Sequence, residues 1–156
     1  MNFVVVNYVY QTKFTNFEDL SLENIASWIP EAHLHPRQPR QVVSRIGKVT
    51  CMFFTKGSIH IMGGADSEIE TEQSALEYLQ NYFLFWIPPH FECTPIYPLQ
   101  VQTMTVTSSL SKPINLYKFH ECIKSNYNFE LIGALHITKY GKMCVNLFGT
   151  GKMVSK

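Results

Sequence analysis

The sequence predicts an α+β fold of two related half-repeats, each an antiparallel sheet with helices packed on one face. Three observations carry this expectation. Gly47-Lys48-Val49-Thr50-Cys51-Met52-Phe53-Phe54-Thr55-Lys56-Gly57 is answered by Gly141-Lys142-Met143-Cys144-Val145-Asn146-Leu147-Phe148-Gly149-Thr150-Gly151, with glycine, lysine, phenylalanine and glycine in register. The segments before the two copies run in the same order, strand, helix, strands. Both copies also alternate with the period of a strand: Val49, Cys51 and Phe53 oppose Thr50, Met52 and Phe54, and Met143, Val145 and Leu147 oppose Cys144, Asn146 and Phe148. One set in each strand must pack on helices. The other carries a large aromatic in each repeat, on the face that no helix covers.

In the first half, Phe3 to Lys13 is rich in valine and tyrosine and reads as a strand. Ser21 opens a helix with Leu22, Ile25, Ala26 and Ile29 at i, i+3, i+4 and i+7, and Pro30 and Pro36 break it. Val42 to Ile46, Val49 to Phe54 and Ser58 to Met62 are short strands joined at Gly47-Lys48 and Lys56-Gly57, and Gly63-Gly64 ends the set. Ser67-x-x-Glu70 has the form of a capping box, and the helix behind it turns Ala75, Leu76, Leu79 and Phe83 inward. Ile87-Pro88-Pro89 stops that helix, and the proline-rich residues 87–98 form a linker. In the second half, Leu99 to Ser109 is a strand, and Pro113 precedes a helix with Leu116, Phe119 and Ile123 on one face. Leu131 to Thr138 and Met143 to Phe148 are strands, and Lys152 to Lys156 starts another. The expected division is 1–86, a linker at 87–98, and 99–156.

Apolar residues make up 46% of the 156, which excludes wholesale disorder, and the formal net charge of +1 argues against strong, non-specific nucleic-acid binding while leaving room for a local basic edge. Cys51, Cys93, Cys122 and Cys144 form no CxxC pair, and the apolar N-terminus from Asn2 to Tyr10 has no cleavage pattern and is too short to span a membrane. A reducing compartment follows, with the cysteines acting as small hydrophobes. His90-x-x-Cys93, His120-x-Cys122 and His33-x-His35 are the best metal-like pairs, but none is completed by a second pair of matching spacing. Gly63-Gly64 opens no phosphate loop, and no carboxylate pair or Ser/His/Asp order suggests catalysis. The chain is therefore expected to be no enzyme and to take no cofactor, metal or small-molecule substrate. Glu68, Glu70 and Glu72 read as a solvated first helical turn that suits the helix dipole.

Ser21-Leu22-Glu23-Asn24-Ile25-Ala26 through His35-Pro36-Arg37-Gln38-Pro39, then Val42-Val43-Ser44-Arg45-Ile46, Phe54-x-x-Gly57-x-Ile59 and Gly63-Gly64-Ala65-Asp66-Ser67-Glu68 follow one another in the first half. Val101-Gln102-Thr103-Met104, Lys112-Pro113-Ile114-Asn115-Leu116 and Leu147-Phe148-Gly149-Thr150-Gly151-Lys152-Met153-Val154 follow in the second. In this order, over nearly the whole chain, they resemble the TATA-box-binding protein family. The first run is similar to the family's first helix and the loop after it, the second to its next strand, and the third and fourth to its run into the long helix. The last run carries the closest likeness of all.

The resemblance implies a saddle of two pseudo-repeats with helices on the convex face, the second repeat lacking its final helix. It implies binding of A/T-rich double-stranded DNA through the minor groove, with apolar wedges kinking the duplex. Phe54 and Phe148 fall on two wedge positions, and Pro39 and Leu131 on the other two. Asn7 and Thr103 fall near the centre, Val9, Thr105, His60 and Val154 on groove-lining positions, and Met62 and Lys156 where the family has threonines, with Met52 among the expected DNA contacts. Arg45 and Lys152 keep basic positions, and Asn146 replaces an apolar contact. The missing helix leaves the face around Met143, Val145 and Met153 short of cover, an apolar patch of the kind that marks a partner site. The implied partners are general transcription factors or RNA polymerase subunits, in the nucleus or a viral transcription compartment. Alternative readings are a docking scaffold in an initiation complex with little DNA affinity, and a substrate-gripping accessory of a nucleic-acid enzyme.

Overall fold

The structure, a computed structural model, describes residues 2–17, 20–36, 40–64, 66–91, 98–123, 133–140 and 143–155. Its contacts divide the chain into two compact units: Asn7–Thr103, and Met1–Val6 together with Met104–Lys156. The half-repeats 1–86 and 99–156 are a division of sequence pattern. By contacts, the first six residues go with the second unit and residues 87–103 with the first.

In the first unit, strands β1 (Val4–Lys13), β2 (Ala32–His35), β3 (Gln41–Ile46), β4 (Val49–Phe54) and β5 (Ser58–Gly63) lie in the order β2-β3-β4-β5-β1, and each neighbouring pair is antiparallel. The alternation read from the sequence holds. Val49, Cys51 and Phe53 are buried and Thr50, Met52 and Phe54 half-buried; on β5, Ile59 and Ile61 are buried and His60 and Met62 half-buried. The buried set joins Phe14, Phe17, Ile25, Ala75, Leu79 and Phe83 in one hydrophobic core. Helix α1 (Leu22–Trp28) starts where expected, because the Ser21 hydroxyl accepts from the Asn24 amide at 3.1 Å. Buried Ser44 shares the core face of β3, and its hydroxyl donates to the Pro30 carbonyl at 2.7 Å.

Three features of this unit depart from the sequence reading. Strand β2 pairs with β3 where a loop after the first helix was expected. Ala32 and Leu34 pack on the core while His33 and His35 stay exposed, so the His-x-His spacing is the outer face of a strand. The second helix, α2 (Glu72–Tyr78), starts later than Ser67-x-x-Glu70 suggests. Its capping box is Thr71 with Ser74, whose side chains satisfy each other's backbone amides at 3.1 and 2.9 Å. The Ser67 hydroxyl instead donates to the Gly64 carbonyl at 2.7 Å, because Ile69 between the two signals is fully buried and holds residues 67–70 out of the helix. Beyond α2 the chain continues through a π-helical turn (Leu79–Phe83) and a 3-10 turn (Leu84–Trp86) before Ile87 turns extended.

In the second unit, β6 (Gln100–Ser109), β7 (Ala134–Tyr140), β8 (Met143–Phe148) and β9 (Lys152–Ser155) follow the order β6-β9-β8-β7, again antiparallel. β6 and β1 each have residues in both units. Helix α3 (Leu116–Ile123) is capped by Asn115, whose Oδ1 accepts from the Lys118 amide at 3.1 Å. Leu116, Leu135 and Leu147 form a small core with Ile114, Ile123 and Met153 against it. Phe119 does not join them as expected and is 37% exposed. β7 was expected at Leu131 to Thr138. The described strand runs on to Tyr140 through an irregularity after Ile137, and Leu131 lies outside the described residues.

The duplicated Phe-x-x-Gly has a concrete cause. The Gly57 amide bonds the Phe54 carbonyl at 3.0 Å, and the Gly151 amide bonds the Phe148 carbonyl at 2.8 Å. Both glycines are left-handed, with φ of 76° and 86°, where a side chain is strained. Each repeat therefore ends its aromatic-bearing strand with the same tight turn.

Candidate nucleic-acid interface

Backbone pairing decides which side chains share a face. In the first unit, Phe54 lies across from Gln41, Met52 from Val43 and His60, Thr50 from Arg45 and Met62, and Val9 from Met62. This set is opposite the buried one, so Phe54, Met52, Arg45, Val9 and, by parity along β1, Asn7 share the face away from α1 and α2. Asn7, Val9, Met52 and Phe54 are half-buried and Arg45 is exposed. The Arg45 Nε donates to the Gly47 carbonyl at 3.4 Å.

Phe54 sits at the rim of a shallow cavity of about 440 Å³ lined by Gln11, Arg40, Lys56, His60 and Gln102. Its ring centroid is 4.8 Å from that of His60, with the planes tilted by 59°. Burial pushes the His60 imidazole below its ordinary 6.5, so at neutral pH it is an uncharged ring beside Phe54. Arg40 is ion-paired with Glu23. Gln11, Arg40, Lys56 and Gln102 escaped the sequence reading. The signal for Gln11 was its parity with Val9 on β1, and nothing in local sequence marks the others.

In the second unit, Phe148 lies across from Ala134, Asn146 from His136 and Val154, and Val154 from Thr107. Phe148, Asn146 and Val154 are half-buried and Lys152 is exposed, all on the face opposite buried Leu147. The Asn146 Oδ1 lies 2.8 Å from His136 Nδ1, with the Cys144 sulfur 3.4 Å from the same ring, so the amide is oriented by its neighbour on β7. Thr105 has the parity of this face but is 9% exposed, and Thr103, half-buried, has the same parity along β6. Pro39, Leu131 and Lys156 lie outside the described residues. Among the described residues no group of three or more His, Cys, Asp or Glu side chains is arranged to hold a metal ion, and no helix is long and apolar enough to cross a membrane.

Two antiparallel sheet units with helices on one face, each closing an aromatic-bearing strand with the same Phe-x-x-Gly turn, define the α+β fold class of the TATA-box-binding protein. The solved TBP of Methanococcus jannaschii matches the chain with a TM-score of 0.66 and 25% sequence identity, over 99% of this chain and 87% of that one. The chain thus has a TBP-like fold, the class its sequence led us to expect. No protein-family pattern matches the chain, and no curated protein does.

Proposed function

We propose that the chain is a TBP-like transcription initiation factor that binds and bends A/T-rich DNA through the minor groove and recruits initiation partners, without enzymatic activity of its own. The single observation that carries this reading is the repeated placement of Phe54 and Phe148. Each is the last residue of its strand, half-exposed on the face away from the core, and followed by the same left-handed glycine turn. Aromatic rings held on a rigid strand end suit insertion between base steps, where unstacking is offset by apolar burial against the bent duplex. The TBP-like fold supports the same reading. General transcription factors or polymerase subunits are the partner class, in the nucleus or a viral transcription compartment.

The test is end-to-end energy transfer on a doubly labelled A/T-rich duplex. The parent chain, with partner factors added, shortens the end-to-end distance; Phe54→Ala and Phe148→Ala each reduce the bend. Unchanged transfer with the parent at micromolar protein overturns the proposal. Two observations favour a docking scaffold with little DNA affinity as the second reading: Asn146 is held by His136, and Thr105 is buried. On that reading, transcription partners co-purify with the Phe54→Ala, Phe148→Ala double variant as well as with the parent.

A further inference from the structure

Resting on the reading of the open face as a nucleic-acid surface, we infer that the cavity beside Phe54 is a binding site for an unpaired nucleotide of single-stranded DNA. The cavity, of about 440 Å³, lies wholly within the first unit, and its walls include Phe54, His60, Gln11, Gln102, Arg40 and Lys56. Sites for small organic ligands commonly enclose roughly 300–1,000 Å³.

Three kinds of group line it. The first is aromatic: the Phe54 and His60 ring centroids are 4.8 Å apart with planes tilted by 59°, so the rings make a corner and are not stacked on each other. Both are half-buried, and a planar base laid on Phe54 gains a stacking partner. The second is the primary amide. Strand pairing sets Gln11 directly across from His60, and Gln102 of β6 lines the same cavity. An amide offers a donor beside an acceptor. The minor-groove edge of an A/T pair shows acceptors only, so a paired groove uses the amide nitrogens and leaves the amide oxygens idle. A base that has lost its complement exposes donor and acceptor together, as thymine does at N3–H and O4, and uses both. The third is cationic: Lys56 and Arg40 stand in the wall, Arg40 steadied by its ion pair with Glu23, and no acidic side chain lines the cavity. Cations there suit the phosphates on either side of a bound base.

The second repeat serves as a comparison within the chain. Asn146 lies across from Val154 as Met52 lies across from His60, and Val154 lies across from Thr107 as His60 lies across from Gln11. Valine and threonine therefore stand beside Phe148 where imidazole and amide stand beside Phe54. Lys152 supplies a cation on the face of Phe148, so neither an aromatic ring nor charge separates the two ends. What separates them is the set of groups that can read the edge of a base.

The test is fluorescence anisotropy of the full chain against a labelled oligothymidylate of about 8 nucleotides and an abasic strand of the same length. Oligothymidylate binds at micromolar concentration and the abasic strand at least roughly tenfold more weakly. Phe54→Leu, which keeps an apolar side chain and removes the ring, weakens oligothymidylate at least about fivefold. Gln102→Leu, at an exposed position and with an unchanged melting temperature, weakens it about threefold or more. Phe148→Leu leaves it unchanged. Equal binding of the two strands, no binding up to about 200 µM, affinity that survives both Phe54→Leu and Gln102→Leu, or an equal loss with Phe148→Leu overturns the proposal. Bending of the A/T-rich duplex without oligothymidylate binding sinks this site alone. Oligothymidylate binding without bending sinks the initiation-factor reading and leaves the site standing.

Discussion

Gly63→Ala should destabilise the first unit strongly, although the backbone at Gly63 is not left-handed. A Cβ there would lie 2.3 Å from Ser67 Oγ and 2.6 and 2.8 Å from Cγ1 and Cδ1 of Ile69. None of these atoms is free to move: the Ser67 hydroxyl donates to the Gly64 carbonyl at 2.7 Å, and Ile69 is fully buried. Overlaps of this depth in a packed core cost about 1–3 kcal/mol, and losing the Ser67 hydrogen bond adds about 1 kcal/mol. A total of about 3 kcal/mol corresponds to a fall in melting temperature of roughly 6–12 °C for a chain of this size. Urea denaturation monitored by circular dichroism measures it. Ile69→Ala alone should cost about 2–4 kcal/mol through the cavity it leaves. The double variant should cost at least about 1 kcal/mol less than the sum, because truncating Ile69 removes part of the clash. A Gly63→Ala protein within about 0.5 kcal/mol of the parent, or strict additivity of the two changes, would refute the packing argument for how the chain enters α2.

Cys122, which is exposed, should react rapidly with a maleimide while Cys51 stays protected until unfolding, since complete burial holds its thiol well above the ordinary range; mass spectrometry of the labelled peptides checks this, and equal labelling rates would contradict it. His60 has a lowered folded-state pKa, so the unfolded chain binds the extra proton first. Its contribution is intact above 6.5 and is lost as pH falls through 6.5 towards the folded value, and urea midpoints should drop less for His60→Gln than for the parent over that window. Gly151→Ala should cost more stability than Gly47→Ala, because both glycines are left-handed but a Cβ at Gly151 would also lie 2.8 Å from the Lys112 carbonyl, while one at Gly47 would come no nearer than 3.9 Å to Tyr78 Oη; paired thermal melts decide it. If the open face binds DNA as proposed, Lys152→Gln should reduce the slope of log affinity against log salt by about 0.9 with little loss of stability, as expected for one exposed phosphate contact.

Strands proved legible where one face is buried, because alternation is then forced on the sequence: β4 and β5 have the faces read from Val49 to Met62. β2 was missed because its outward residues His33 and His35 add no apolar signal and its inward residues Ala32 and Leu34 are too few to show a period. The start of α2 was misplaced because two cap signals overlap and only tertiary burial of Ile69 chooses between them. Phe119 follows helical spacing correctly but faces a core too small to cover it. Of the candidate interface, parity along each strand was readable and accessibility was not. Whether Asn146 meets solvent or His136, and whether Thr105 is open or buried, depends on neighbouring strands that local sequence does not name.

Net charge misleads most when it is taken over the whole chain. A value of +1 suggests a surface indifferent to polyanions, yet it is the balance of two opposed parts: Asn7–Thr103 carries six basic and ten acidic residues, and the remainder carries seven lysines and two glutamates. Four of those ten acids lie in residues 67–83, on the segment that covers the core of the first unit and faces away from Phe54. Acidic charge on the helix side does little to oppose a polyanion at the opposite face of the same sheet, since interactions beyond a Debye length of about 8 Å are largely screened at physiological salt. In the second unit Lys152 is exposed on the same face as Phe148. β8 presents Asn146 and Phe148 to one side and Met143 and Val145 to the other, so a ligand proposed for the open face meets the first pair and not the second.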